Sequence, residues 1–274
     1  MPGRTCVRAG HSCFYGRDHA IFRGFPVIST AIAAVRSVTA YIATAVYVLV
    51  AGPPGLLLAI PFKWKGLLYV LGHGGAALAL GLAGIRYRLT GRAHIPKGRA
   101  VVFCANHQSN VDPPLLYRAL HPRLHILFKA ELRKLPILGM VMETGGFVPV
   151  DRGSRDAALT AIDVAAASLR DGNSFLIFPE GTRSKTDQLL PFKKGGFIMA
   201  IKAQAPIVPV AITGGRAAMR KGSAIVRPVM VSVRVGAPIE TAGRTLADRD
   251  AIIDEVRGAI EALMAQGPVA AAER

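Results

Sequence analysis

Two long runs without Asp, Glu, Lys or Arg, Ser37 to Phe62 and Gly66 to Ile85, stand in the early part of this chain, separated only by Lys63-Trp64-Lys65. A helix that crosses a bilayer needs ~20 apolar residues for a hydrocarbon core ~30 Å thick, and uncharged runs of this length are rare in water-soluble folds. Two details qualify the reading. Gly52-Pro53-Pro54-Gly55 interrupts the first run, so a helix ending there has 15 residues, Ser37 to Ala51, or about 22 Å of axis, too short to span comfortably. The second run holds Gly66, Gly72, Gly74, Gly75, Gly81 and Gly84, which makes it a weak helix in water that needs a closely packed partner.

The flanks set the orientation. Arg4, Arg8, Arg17, Arg23 and Arg36 precede the pair and Arg86, Arg88, Arg92, Lys97 and Arg99 follow it, so by the positive-inside tendency both ends face the cytoplasm. Lys63-Trp64-Lys65 is an interfacial residue set. The expectation is a two-helix hairpin over residues 37–85 that dips into the membrane or barely spans it, after a basic lead of residues 1–36. The competing reading is a pair of core helices in a soluble protein. A cleaved signal peptide is disfavoured by Asp18 and by the length of the Arg-studded lead.

Composition supports an anionic partner. The chain has 274 residues with 34 Lys+Arg against 17 Asp+Glu, a net charge of +17, and the first 98 residues hold 11 of those bases and one acid. A basic segment beside apolar runs suits an anionic membrane surface, with no nucleic acid needed to explain it. At 51% hydrophobic the chain can bury a full-sized core, which excludes general disorder. Cys6, Cys13 and Cys104 have neither the number nor the spacing of a disulfide framework or a zinc site.

From Arg86 the texture changes to short β-rich runs alternating with helical patterns. Strands are expected at residues 86–89, 100–104, 124–128, 146–150, 174–178, 207–212 and 225–235, and helices at 113–120, 130–143, 154–170 and 194–204. A last helix carries Ile252, Val256, Ile260 and Leu263 on one face. The fold class is therefore α/β over residues 86–266: a mixed, largely parallel sheet flanked by helices, preceded by the membrane-associating hairpin. Residues 267–274, Ala-rich, are expected to fray.

Ligand sites of such sheets lie beyond the carboxyl ends of the strands. There the first candidate stretch falls, "NHQSNVD", residues 106–112, directly after an apolar strand. Asp112-Pro113 has the chemistry of a helix start, with Asp at the N-cap. Alternatively the Asp112 carboxylate takes a hydrogen bond from one nitrogen of His107 and leaves the other free to accept a proton: the base and its orienter, with a nucleophile supplied by substrate. A second stretch, "FPEGTRS", Phe178 to Ser184, also follows an apolar strand, with Arg152 after another and Lys193-Lys194 ahead of a glycine-flanked helix start. Basic groups converging on one sheet edge suit a phosphate.

These stretches together resemble the bacterial lysophosphatidate acyltransferases, the 1-acyl-sn-glycerol-3-phosphate acyltransferase family of glycerolipid acyltransferases, over about residues 84–236. The family's four blocks match His107 and Asp112 in "NHQSNVD", "GGFVPVDR" ending at Arg152, "FPEGTRS", and "IVPVAI", Ile207 to Ile212. The resemblance implies transfer of a fatty acyl group from acyl-CoA or acyl carrier protein, the co-substrate in place of any cofactor or metal, to the sn-2 hydroxyl of a lysophospholipid acceptor, 1-acylglycerol-3-phosphate, giving phosphatidic acid for phospholipid biosynthesis. It implies His107 as general base and Asp112 as its orienter. Glu180, Gly181, Thr182 and Arg183, with Arg152 and Lys193, would bind acceptor phosphate and glycerol, at the cytoplasmic face of a cell membrane such as the bacterial inner membrane. Three alternatives stay open: another lysolipid or an amino-acid-derived lipid as acceptor, a non-catalytic membrane-binding relative, and a hydrolase or metal-dependent enzyme using His107 and Asp112 as ligands.

Overall fold

A computed structural model describes residues 26–151 and 153–270. Helices α1 (Pro26–Ala59) and α2 (Lys65–Ala83) form an antiparallel hairpin. The hairpin leads into β1 (Ile85–Thr90), β2 (Val102–Ala105), α3 (Asp112–Leu120), β3 (Leu124–Lys129), α4 (Leu138–Thr144), β4 (Val148–Val150), α5 (Arg155–Arg170) and β5 (Ser174–Ile177). After these come α6 (Gly195–Ala203), β6 (Ile207–Thr213), the single turn α7 (Gly215–Ala218), β7 (Val229–Val235) and α8 (Arg249–Ala265). The sheet has seven strands in the order β1-β7-β6-β2-β5-β3-β4. All neighbours run parallel except β6 and β7, so the expected mixed, largely parallel α/β architecture is present.

Side chains alternate across the pleat, and β2 shows how this divides the core. Val101, Phe103 and Ala105 pack with α2 and α3, whereas Val102 and Cys104 pack with α5, α6 and α8. The hairpin therefore lies on one face of the sheet, and α5, α6 and α8 cover the other. Strands β2, β5 and β6 are adjacent at the sheet's centre and buried almost throughout, and their carboxyl ends open onto a single edge.

The hairpin departs from expectation in two ways. Helix α1 starts at Pro26, inside the stretch read as a lead, and continues through Pro53 and Pro54 for 34 residues. It is not stopped at Ala51. Arg36 falls inside the helix, where its guanidinium donates to Leu82 O at the end of α2, a favourable place for a cation. A proline within a helix costs ~3 kcal/mol, and packing on both sides of the pair holds this one together. A Cβ on Gly52 would stand 2.4 Å from Ile137 Cγ2 and one on Gly55 2.7 Å from Leu71 Cδ1. The glycines of α2 find the close partners they need: Tyr47 of α1 lies on Gly74 and Gly75, Tyr117 of α3 on Gly72. Outward, Val50 (70% exposed), Leu57 (74%), Phe62 (72%) and Trp64 (58%) face away from the protein, an apolar surface of the kind that marks membrane contact. Both helices are long and apolar enough to cross a bilayer.

Three local expectations are corrected. The helix expected over 130–143 is split into a 3-10 turn (Ala130–Lys134) and α4, because Pro136 lacks an N–H and pushes Leu135 into extended backbone, ψ 119°. The strand expected from 225 begins at Val229, since residues 224–227 bond to α1 instead. Tyr41 donates to Ala224 O at 2.7 Å and Val226 N donates to Ser37 Oγ at 2.8 Å. The tail expected to fray is pinned where it is described: Val269 is buried and its N–H donates to Ser232 Oγ at 2.9 Å.

A polar seam joins the hairpin to the sheet. Tyr69 of α2 is hydrogen-bonded to His125 Nε2 and donates to Gly145 O at 2.7 Å, while Ser168 Oγ faces His125 Nδ1 at 3.4 Å. Burial, with Lys65 nearby, holds the His125 pKa down to about 4, so the ring is neutral and Nε2–H donates to the tyrosine oxygen.

Candidate active site

Loop 106–112 leaves the end of β2 and is fixed from its first residue. Asn106 donates to Ile212 O at 2.9 Å and accepts from Ile212 N–H, extending the β2–β6 ladder by one side chain. His107 follows with its side chain 14% exposed, its ring stacked on Phe178 with centroids 4.2 Å apart. Its Nδ1 lies 3.0 Å from Asp112 Oδ2. The same Asp112 oxygen accepts from Gln108 N and Ser109 N, each at 2.7 Å.

The loop thus turns back on its own aspartate. Asp112 is the first residue of α3 and makes no cap to it; Val111 occupies the N-cap position without a side-chain bond. The expected capping role is therefore corrected: the carboxylate points into the loop and orders residues 107–109. With Nδ1 engaged, His107 Nε2 is the nitrogen available to a substrate. Room for the carboxylate depends on Gly215, where a Cβ would stand 2.5 Å from Asp112 Oδ1.

Stretch 178–184 leaves β5, the neighbour of β2, and clasps the histidine from the other side. Glu180 Oε1 accepts from His107 N at 2.8 Å, and Ser184 N donates to His107 O at 2.8 Å. Glu180 Oε2 accepts from Leu190 N at 2.9 Å. Buried, and with each oxygen accepting from a backbone N–H group, Glu180 holds the two loops together at the site. Burial raises its pKa above the ordinary carboxylate value.

Gly181 has φ +66°, and a Cβ there would meet Lys193 Cε at 2.7 Å and Nζ at 3.1 Å. Both the turn and the lysine stem laid over it require glycine. Thr182 is exposed and its hydroxyl accepts from Lys221 Nζ at 3.0 Å, while the same ammonium donates to Arg183 O at 3.1 Å. Arg183 Nη1 is buried without a hydrogen-bond partner. A guanidinium nitrogen so placed is costly unless an acceptor completes it, and an anionic one does so most strongly. Arg152 lies outside the described residues. The sheet edge therefore gathers His107, Asp112, Gly181, Thr182, Arg183 and Lys193. Asn106, the first residue of "NHQSNVD", also shapes it, as do Gly215 and Lys221, which nothing local marked.

His121 and His125 form no ligand pair. Both nitrogens of His125 are engaged in the buried seam, and His121 Nδ1 accepts from Arg123 N.

Comparison with known proteins gives a consistent set. Residues 86–213 match the Acyltransferase family model. A 1-acyl-sn-glycerol-3-phosphate acyltransferase from Cocos nucifera is 35% identical over 191 residues, 68% of this chain and 61% of that protein's length. One from Limnanthes douglasii is 31% identical over 208 residues, 73% of each chain. Among solved structures, the 1-acyl-sn-glycerophosphate (LPA) acyltransferase PlsC from Thermotoga maritima superposes with a TM-score of 0.72 at 26% identity, covering 85% of this chain and 96% of the other.

Proposed function

Because the chain belongs to the 1-acyl-sn-glycerol-3-phosphate acyltransferase family, we propose that it transfers a fatty acyl group from a thioester donor to the sn-2 hydroxyl of 1-acylglycerol-3-phosphate, giving phosphatidic acid. One observation carries the reading. A His-Asp pair with a free Nε2 stands at the same sheet edge as a buried arginine nitrogen that lacks a partner.

His107 Nε2 takes the proton of the acceptor hydroxyl as the oxygen attacks the thioester carbonyl. Asp112 fixes the Nδ1–H tautomer and stabilises the imidazolium. The tetrahedral intermediate expels the donor thiolate, which receives the proton back from Nε2–H. The ester is formed, the thiol released and the histidine restored, with no covalent enzyme intermediate. A positioned base of this type contributes ~10² to 10⁴-fold. Arg183 binds the acceptor phosphate with Lys193 beside it, and Lys221 steadies the loop that presents them.

The apolar surface of α1 and α2 associates with the membrane in which acceptor and product reside. A water-soluble donor, acyl-CoA or acyl carrier protein, places the reaction at the cytoplasmic face, where basic residues of the hairpin region attract anionic lipid by ~1 kcal/mol each.

The test is a panel of acceptors with membrane-reconstituted protein and an acyl-CoA or acyl carrier protein donor. Lysophosphatidate turns over far faster than a phosphate-free lysolipid, and His107→Ala abolishes turnover while leaving acceptor binding intact. Equal or faster acylation of the phosphate-free lipid would refute the acceptor assignment. Normal activity of His107→Ala would refute the mechanism.

A further inference from the structure

A cavity of about 590 Å³ opens between the end of β6, residues 187–189 and the last turns of α8. It lies on the α5/α6/α8 side of the sheet, away from the hairpin, and shares one residue with the catalytic loop, Gln108, next to His107. Its size is within the ~300 to 1,000 Å³ range of small-molecule sites.

The lining describes the ligand. Gln108 is 4% exposed, and its side-chain oxygen is buried with no hydrogen-bond partner. Such a group is costly unless something completes it. The cavity's cation, Arg257, is already engaged: its two terminal nitrogens donate to Leu190 O and Leu189 O at 3.0 and 3.1 Å, and its Nε lies 3.0 Å from Glu261. Asp187 is paired with Arg216 at 2.7 Å. The charges on the wall are thus spent within the protein, and the site is unsuited to a phosphate. It offers instead the carboxamides of Gln108 and Gln188 and the hydroxyl of Thr213, set among apolar Leu189, Met264 and Ala265. An uncharged, flexible chain of amides and methylenes fits that pattern.

The pantetheine arm has this chemistry, and it is common to acyl-CoA and acyl carrier protein. We propose that this cavity holds the pantetheine arm of the acyl donor, with the Gln108 carboxamide paired to one of its amides, so that the thioester reaches His107 from the sheet face opposite the membrane hairpin. The inference rests on the thioester-dependent acyl transfer given above. It assigns the two substrates to opposite sides of one histidine: the lipid from the hairpin side, the soluble donor from the α8 side.

Two variants test it in full-length protein reconstituted in vesicles. Ala265→Trp fills the cavity from an exposed position of α8, and Gln108→Leu removes the carboxamide. Each raises the donor KM about tenfold, the size of one lost buried hydrogen bond, equally for acyl-CoA, acyl carrier protein and S-acyl-pantetheine, with the acceptor KM unchanged. S-acyl-N-acetylcysteamine, which lacks most of the arm, is used with the same KM by the unmodified protein and by Ala265→Trp. Free pantetheine binds the unmodified protein in saturation-transfer NMR, and Ala265→Trp abolishes the signal. An unchanged donor KM in both variants, a defect confined to acyl-CoA, or a rise in the acceptor KM instead would overturn the proposal. If the unmodified protein binds pantetheine yet turns over no thioester with any acceptor, the acyl-transfer reading fails and the cavity assignment stands.

Discussion

The two loops that meet at the sheet edge, residues 106–112 and 178–184, come from adjacent parallel strands and differ in what they leave without a partner, acceptor oxygens of Gln108 and Asp112 in the first and a guanidinium nitrogen of Arg183 in the second. In the first, one oxygen of Asp112 takes three hydrogen bonds, from His107 Nδ1, Gln108 N and Ser109 N. In the second, Glu180 and Ser184 spend themselves on His107's backbone, whereas Arg183 keeps a buried nitrogen without a partner. On the proposed mechanism the base, His107, is thus oriented before substrate arrives, and Arg183 Nη1 is left for the acceptor phosphate to complete. Groups that act in the transition state gain from being held rigid in advance, and a group that binds a ligand's charge has to leave a place for it. The difference separates what should change kcat from what should change KM.

The most damaging break of this division is Asp112→Asn. An amide cannot accept from His107 Nδ1–H and from both N–H groups with the same oxygen as well as the carboxylate does, and its NH2 favours the wrong tautomer. Turnover should fall on the order of 10³-fold or more, as expected for loss of a His-orienting carboxylate, with the acceptor KM changed little. Steady-state kinetics on lysophosphatidate check it; a KM effect without a kcat effect would erase the distinction between the loops.

Glu180 probes the join. Its pKa is raised by burial, so its ionised form is a cost to the fold. That share of stability is present at low pH and lost as pH rises through the folded value. Glu180→Gln relieves the cost but turns an NH2 toward one of the two backbone donors. It should therefore lower kcat about tenfold, the equivalent of one hydrogen bond at ~1.5 kcal/mol, with little loss of Tm near neutrality. Glu180→Ala removes both acceptors and should lower kcat further and Tm as well. Thermal unfolding in detergent alongside kinetics separates the two. Equal loss of Tm in Gln and Ala variants would show the carboxylate to be structural only.

Much of this organisation was legible in the sequence because it rests on local pattern. All seven expected strands are present, since short β-rich runs between helical patterns signal them. The pairing of His107 with Asp112 was one of two readings of that short loop, and the fold brings the two side chains to 3.0 Å. What escaped notice depends on distant contacts. Pro53-Pro54 reads as a stop until Gly52 is seen against Ile137. Asn106 reads as a loop residue until Ile212 stands opposite it, and the hold of Glu180 on His107 N and Leu190 N shows only in the fold. No periodicity encodes a side chain's partner a hundred residues away.

At Arg183, farther along the second loop, the expected effect falls on KM. Arg183→Ala removes the unpartnered nitrogen and should raise the acceptor KM about 10- to 100-fold, the range of a charge-assisted hydrogen bond at ~1.5 to 3 kcal/mol. kcat at saturation should change much less, and Arg183→Lys should recover part of the loss because charge without the planar fork still attracts a phosphate. A phosphate-free lysolipid as acceptor should be indifferent to either change.

The finest test is Lys221, which touches the anion loop without belonging to it. Its ammonium ties Thr182 and the Arg183 carbonyl to a segment that Tyr41 and Ser37 fasten to α1, so it links α1 to the loop that carries Arg183. Because the ammonium is exposed, its bonds are worth little individually, ~0.2 to 1 kcal/mol. Lys221→Met should therefore raise the acceptor KM only about two- to fivefold, with kcat and the donor KM unchanged. The effect should shrink in high salt, since an exposed ammonium near an anion is screened over ~8 to 10 Å. A kcat defect as large as that of Glu180→Gln would mean that Lys221 orders the histidine as well, and that the two loops are not the independent units their hydrogen bonding describes.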